Sequence, residues 1–129
     1  VIAENYDRWK LDEILVVDID RSKLRKGPNF ELLERITKKR ISTPLCYMGG
    51  IRNSEDALQL INKGADRIAI DSLFREDADE VTKISDVVGR QAVIRAQPLI
   101  SIKNNIYIYD HLARDSLEQL ICKNSPTKI

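Results

Sequence analysis

The chain has 129 residues, enough for one domain with a modest core. Charged residues make up 32% and apolar residues 43%, an ordinary globular balance. The formal net charge of +1 gives no global pull toward nucleic acid or a membrane surface.

Residues 2–9 read as the end of a helix. The run Glu13-Ile-Leu-Val-Val-Asp18-Ile is apolar, β-branched and continuous, the pattern of a strand buried on both faces in a parallel sheet. Asp20 to Asn29 reads as a polar loop containing Gly27-Pro28. Asn29 is placed to cap a helix over Phe30–Arg40, with Leu32, Leu33 and Ile36 on one stripe. Its end, Lys38-Lys39-Arg40, suits the negative pole of the helix dipole.

Thr43 to Tyr47 forms a second strand, closed by Gly49-Gly50. Asn53 caps a third helix, with Asp56 at its third position, Ala57, Leu58, Leu60 and Ile61 on its apolar face, and Gly64 as its stop. Arg67 to Asp71 is a third strand. A fourth helix runs over about Asp77–Val88 to Gly89, and Gln91–Ala96 is a fourth strand. Strands recur every roughly 25–30 residues, the length of one strand–helix unit, which predicts an α/β fold: a partial TIM-type (β/α)8 barrel. Beyond Pro98, Ile100–Ile102 and Ile106–Tyr109 flank Lys103-Asn104-Asn105 and read as an appended β-hairpin. Ser116–Cys122 reads as a last short helix and 123–129 as a flexible tail. The whole of 1–129 is thus expected to be a single partial barrel domain.

Four core strands leave two open sheet edges and an uncovered inner face. The chain is therefore expected to be part of something larger, to form a homodimer or pair with a missing half-barrel, or to be an open sheet whose edges are covered in some other way. The first residue is Val, which fits a fragment. No signal-peptide pattern opens the chain and no apolar run is long enough to span a bilayer, so no membrane is expected and a reducing cytoplasm is. The two cysteines fit no metal spacing; Cys46 reads as a small buried hydrophobe, and no metal or cofactor is expected. His111 is the only histidine, so no Ser–His or metal constellation is available. Trp9 and the tyrosines form no stacking platform beside a basic groove, which argues against nucleic acid.

Strand C-terminal ends carry the sites of such barrels. Gly49-Gly50 sits at one, where glycines let backbone amides approach a phosphate; the plainer alternative is a tight turn. Asp18 and Asp20 end the first strand and Asp71-Ser72 ends the third, as acid, base or ligand-orienting groups or as simple caps.

The segments VVDIDRS, GPNFELLERI, PLCYMGGIRNSEDALQLINKGADRIAIDS and GRQAVI, in this order and spacing, resemble the cyclase subunit of imidazole glycerol phosphate synthase, a (β/α)8 barrel. PNFELLE and PLCY-GGI look closer still to its acetamidino modification branch, in bacterial surface-sugar synthesis. The resemblance runs from Val1 to Tyr109 and covers the family's second to fifth strands. It implies a glutaminase partner whose ammonia passes through the barrel to a phosphorylated substrate, with two aspartates on the first and fifth strands as acid and base. It assigns Asp18, Gly49, Gly50 and Ser72 to the ligand-binding rim. Asp71 stands where the family has asparagine, and Met48 replaces the first glycine of a GGG. The first catalytic aspartate lies on a strand outside this chain, and Pro98 falls where the second belongs. At the opposite rim Glu13 and Arg67 fall on residues ringing the ammonia entrance, and Asp66 on one that meets the glutaminase. Two further readings stay open: a histidine-biosynthesis cyclase as part of a longer chain, and a non-catalytic half-barrel scaffold that self-associates.

Overall fold

A computed structural model describes residues 2–109. It divides into two compact units, one ending at Arg95 and one beginning at Ala96.

In the first unit, α1 (Ile2–Arg8) leads into β1 (Ile14–Val17), followed by α2 (Ile19–Leu24), α3 (Phe30–Thr37), β2 (Leu45–Met48), α4 (Ser54–Asn62), β3 (Arg67–Ile70), α5 (Ser72–Glu76), α6 (Ala78–Val88) and β4 (Val93–Arg95). The four strands form one parallel sheet in the order β1-β2-β3-β4, with Ile14 opposite Leu45, Cys46 opposite Arg67 and Ile68 opposite Val93. This is the α/β, partial (β/α)8 architecture the sequence predicts, and the strands do not close into a barrel among the described residues.

The helices start where short polar side chains meet exposed amides. Asn29 Oδ1 accepts from the Leu32 N–H, Asn53 Oδ1 from Asp56 and Asp77 Oδ1 from Glu80. Helix α4 stops at Gly64, φ +108°, where Ala65 N–H bonds Leu60 O and Gly64 N–H bonds Ile61 O: the paired closing bonds of a Schellman motif. Lys63 also reaches back to Glu34 on α3, and this ion pair holds the Glu34 carboxyl below its usual range.

Alternate strand residues face the helices. Ile14, Leu45, Tyr47, Ile68 and Ile70 join Leu33, Ala57, Leu60, Leu73, Val81 and Ile84 in one core. Tyr47 is fully buried, yet its hydroxyl accepts the Asn29 N–H at 2.7 Å, so α3 begins on a hydrogen bond rooted in the core.

Two expectations are corrected. Strand β1 is buried on one face only: Leu15 and Val17 are 55% and 45% exposed. A continuous apolar run signals two faces that gain from cover; it does not supply the second layer. Asp20 to Asn29 is not all loop, because Asp18 caps the short helix α2. Helix α5 was likewise not anticipated.

In the second unit β5 (Leu99–Ile102) and β6 (Asn105–Ile108) pair antiparallel, close to the predicted hairpin. Lys103 and Asn104 both have positive φ, as a two-residue type I′ turn demands. The predicted helix at Ser116–Cys122, the tail 123–129 and His111 lie outside the described residues.

Candidate functional site

All four strands run the same way, so Asp18, Gly49-Gly50 and Asp71-Ser72 share the C-terminal rim, while Glu13, Asp66 and Arg67 share the N-terminal rim.

At the C-terminal rim the β1 and β2 ends interlock. A Cβ on Gly49 (φ +140°) would lie 2.4 Å from Asp18 O, and one on Gly50 (φ +71°) would lie 2.4 Å from Gly27 O. Both positions therefore demand glycine for packing as well as for backbone conformation. The Gly50 N–H donates to Ser22 Oγ at 3.1 Å. Asp18 is also engaged: Oδ1 accepts the Arg21 N–H at 3.4 Å and Oδ2 accepts from Asn29 Nδ2 at 2.9 Å.

Asp71 is buried and ion-paired with Arg75 one turn later. The carboxylate thus has a cation on its own helix, which offsets part of the repulsion it would exert on an anion at this rim. Ser72 begins α5 and is partly exposed. Arg52, in the turn after Gly49-Gly50, reaches Glu76 at 2.7 Å and ties the loop after β2 to α5.

At the N-terminal rim Asp66 is a clamp. Its Oδ2 accepts the Leu45 N–H and its own N–H donates to Leu45 O, both at 2.8 Å, pinning the starts of β2 and β3 together. Glu13 and Arg67 form an ion pair, Oε1 to Nε 2.8 Å, that passes across the intervening strand β2. Beneath it lies Cys46, only 1% exposed. Burial first, then the Glu13 charge, push the Cys46 thiol up to about 11, against a smaller opposing effect of Arg67. This thiol is inert at neutral pH, as a packed hydrophobe should be.

Sequence reasoning missed Asp7. Its Oδ1 accepts from the N–H and hydroxyl of both Ser42 and Thr43 at 2.8–2.9 Å, fastening α1 to the approach to β2. No motif marks it, since its partners are 35 and 36 residues away. Pro98, the position matched to a family aspartate, sits at the base of the β5–β6 hairpin, where its carbonyl accepts the Tyr109 N–H at 2.9 Å. From Gln91 to Tyr109 the chain contains no Asp or Glu. Among the described residues no group of three or more His, Cys, Asp or Glu side chains is arranged to hold a metal, and no helix is long and apolar enough to cross a membrane.

A family model described as "Histidine biosynthesis protein" matches residues 1–116. The chain belongs to this histidine biosynthesis protein family. A hisF3 protein of Vibrio vulnificus (strain YJ016) is 33% identical over 89 residues, 69% of this chain and 34% of that protein. "Imidazole glycerol phosphate synthase subunit HisF" of Endomicrobium trichonymphae is 33% identical over 95 residues, 74% of this chain and 36% of the relative. The protein of the same name from Dehalococcoides mccartyi (strain CBDB1) is 28% identical over 110 residues, 85% of this chain and 43% of the relative. The chain spans about a third of the length of these and other curated relatives it matches.

Proposed function

We propose that this chain is a barrel segment that docks a glutaminase at its N-terminal rim and passes ammonia toward the opposite one, in surface-sugar acetamidino modification in the cytoplasm. The observation that carries the reading is the Glu13–Arg67 ion pair, which bridges two non-adjacent strands over the inner face at the mouth where ammonia would enter. Asp66 lies on the same rim, and the partner-facing role implied by the family resemblance fits its place there. The reading separates this chain from the cyclase reaction because no carboxylate is available between Gln91 and Tyr109 to take the second acid–base role. At the C-terminal rim Asp18, Gly49, Gly50, Asp71 and Ser72 form a phosphate site weakened by the acidic Asp71.

The test is calorimetric titration of the 129-residue chain with a glutaminase subunit from the same genome. Micromolar binding that Arg67→Glu weakens tenfold or more is the expected outcome, a loss of about 1.4 kcal/mol. No heat with the unaltered chain refutes docking. The second reading, a histidine-biosynthesis cyclase as part of a longer chain, is favoured by the names of the relatives. Turnover of the family nucleotide with ammonium salt by the longer protein distinguishes the two, because free ammonia bypasses the glutaminase.

A further inference from the structure

Residues 19–27 leave the end of β1 and return to the start of α3 as a short strap whose two ends are tied together. Asn29 Nδ2 donates to Asp18 Oδ2 at 2.9 Å. Each end is also held to β2. The Asp18 N–H donates to Met48 O at 2.8 Å, and the Asn29 N–H donates to the buried Tyr47 hydroxyl at 2.7 Å. Pinned at its base in this way, the strap has the form of an Ω-loop, which opens as a unit without disturbing the core below it.

Between these ends the bonds are longer. The Arg21 N–H reaches Asp18 Oδ1 at 3.4 Å, the Arg25 N–H reaches Ser22 O at 3.4 Å, and the Lys26 N–H reaches Arg21 O at 3.2 Å. Bonds of this length are weak, so the strap opens more readily than its base. Within it Arg21, Lys23, Arg25 and Lys26 stand against Asp20 alone, in a chain whose formal net charge is only +1. Lys23, Arg25 and Lys26 are exposed, where they repel one another and draw in anions.

The strap is fastened to the C-terminal rim by Ser22, whose Oγ accepts the Gly50 N–H at 3.1 Å. It also crowds that glycine. A Cβ on Gly50 would lie 2.4 Å from Gly27 O and 3.0 Å from Arg21 Cβ, both belonging to the strap. The space beside Gly50 does not admit a methyl group, and a tetrahedral anion is larger. An anion therefore reaches the Gly50 N–H only after Ser22 and the segment carrying it have moved away.

We infer that residues 19–27 are a lid, latched by Ser22 on the Gly50 amide, and that an anion seated on that amide holds the lid open. The anion binds the unlatched form alone, so it shifts the population toward that form. The inference rests on the phosphate-site part of the proposed function and adds a moving element to it.

The test is residue-resolved amide exchange with water, by nuclear magnetic resonance, on the 129-residue chain. It has one arm without ligand and one with inorganic phosphate, against chloride at equal ionic strength. Without ligand, Ser22→Ala should speed exchange at Gly50, Arg25 and Lys26 together by about threefold to tenfold, the worth of one hydrogen bond, and leave Tyr47 unchanged. Ser22→Cys, a weaker acceptor of similar size, replaces it should circular dichroism show that the alanine variant is unfolded. Faster exchange at Gly50 alone overturns the lid, because the hydroxyl then only caps one amide. In the second arm, phosphate should slow Gly50 and speed Arg25 and Lys26 in the unaltered chain. Phosphate that shifts the Gly50 resonance while Arg25 and Lys26 stay as protected as before overturns the lid and leaves the phosphate site standing. No response to phosphate at Gly50 or Ser72 overturns the site, and the anion-held lid with it.

Discussion

Gly27 and Gly50 have almost the same backbone conformation, φ +70° and +71°, in very different surroundings. A Cβ on Gly27 would meet nothing within 4 Å; a Cβ on Gly50 would lie 2.4 Å from Gly27 O and 2.6 Å from Gly27 C. Gly27→Ala therefore measures the left-handed conformation alone, about 1 kcal/mol. Gly50→Ala adds a clash with backbone that must open beyond 3.0 Å. The segment it presses on cannot retreat freely. Pro28 is buried, and Asn29 is held by Tyr47 Oη through its N–H and by Asp18 through its amide. Overpacking of this kind costs about 1–3 kcal/mol, so Gly50→Ala should lose about 2–4 kcal/mol. For a unit of this size each kcal/mol lowers the melting temperature by about 4–8 °C. The assay is thermal and urea unfolding of both variants by circular dichroism. Equal losses in the two would refute the packing argument and leave backbone conformation as the whole requirement for glycine at this turn.

Three other outcomes follow from the hydrogen bonds and charges. The Asp7 carboxyl is held below its ordinary value of 3.8, first by the Thr43 hydroxyl and then by the Thr43 N–H and Ser42. Its stabilisation is thus fully present above that value and lost as pH falls through the lower folded one; Asp7→Ala should unfold more readily at pH 7 than the unaltered chain, and the gap should narrow below pH 3.8 in acid unfolding curves. In a Cys122→Ser background, Glu13→Gln and Arg67→Met should both raise the limiting, high-pH rate of Cys46 alkylation by opening the ion pair above it. The pH midpoint of the reaction should fall from about 11 with Glu13→Gln and rise with Arg67→Met, because the two charges act on the thiol in opposite senses. Arg75→Met should cost about 3 kcal/mol in urea unfolding by removing a cation from the buried Asp71 carboxylate, and Asp71→Asn in the same chain should recover much of it.

The elements that sequence reading located well are those whose signals are local. Asn29, Asn53 and Asp77 each stand three residues ahead of the amide they accept, and the apolar stripes of α3 and α4 repeat at helical spacing. The strands announce themselves as short apolar runs between such helices. Misreadings came where the deciding partner is distant. A run such as Ile14–Val17 does not encode which of its faces will find a second layer. Asp18 looks the same in sequence whether it awaits a ligand or caps α2, and Ile19–Leu24 has too few apolar residues to show a helical stripe. The candidate rims were legible because parallel strands force their ends to a common side. The pairing of Glu13 with Arg67 was not, since it depends on the register of β2 between them. The Asp7 clamp depends likewise on a contact across 36 residues.

The glycine pair does not by itself argue for a ligand, because its packing against Asp18 O and Gly27 O already requires glycine. What distinguishes a phosphate site from a turn is the fate of the Gly50 N–H, now donated to Ser22 Oγ. An anion seated on that amide must displace the hydroxyl, so Ser22→Ala bears directly on the site. Removing the hydroxyl leaves a buried donor without its acceptor and should cost about 1–2 kcal/mol in unfolding. If phosphate uses this amide, the same change relieves the competition, and affinity for inorganic phosphate should rise by about threefold to tenfold in a nuclear magnetic resonance titration. Asp71→Asn should raise it independently by removing a negative charge from the next strand end. A fall in phosphate affinity on Ser22→Ala would mean that the hydroxyl, and not the amide, meets the anion. An unchanged affinity would remove Gly50 from the site and leave the pair a structural turn.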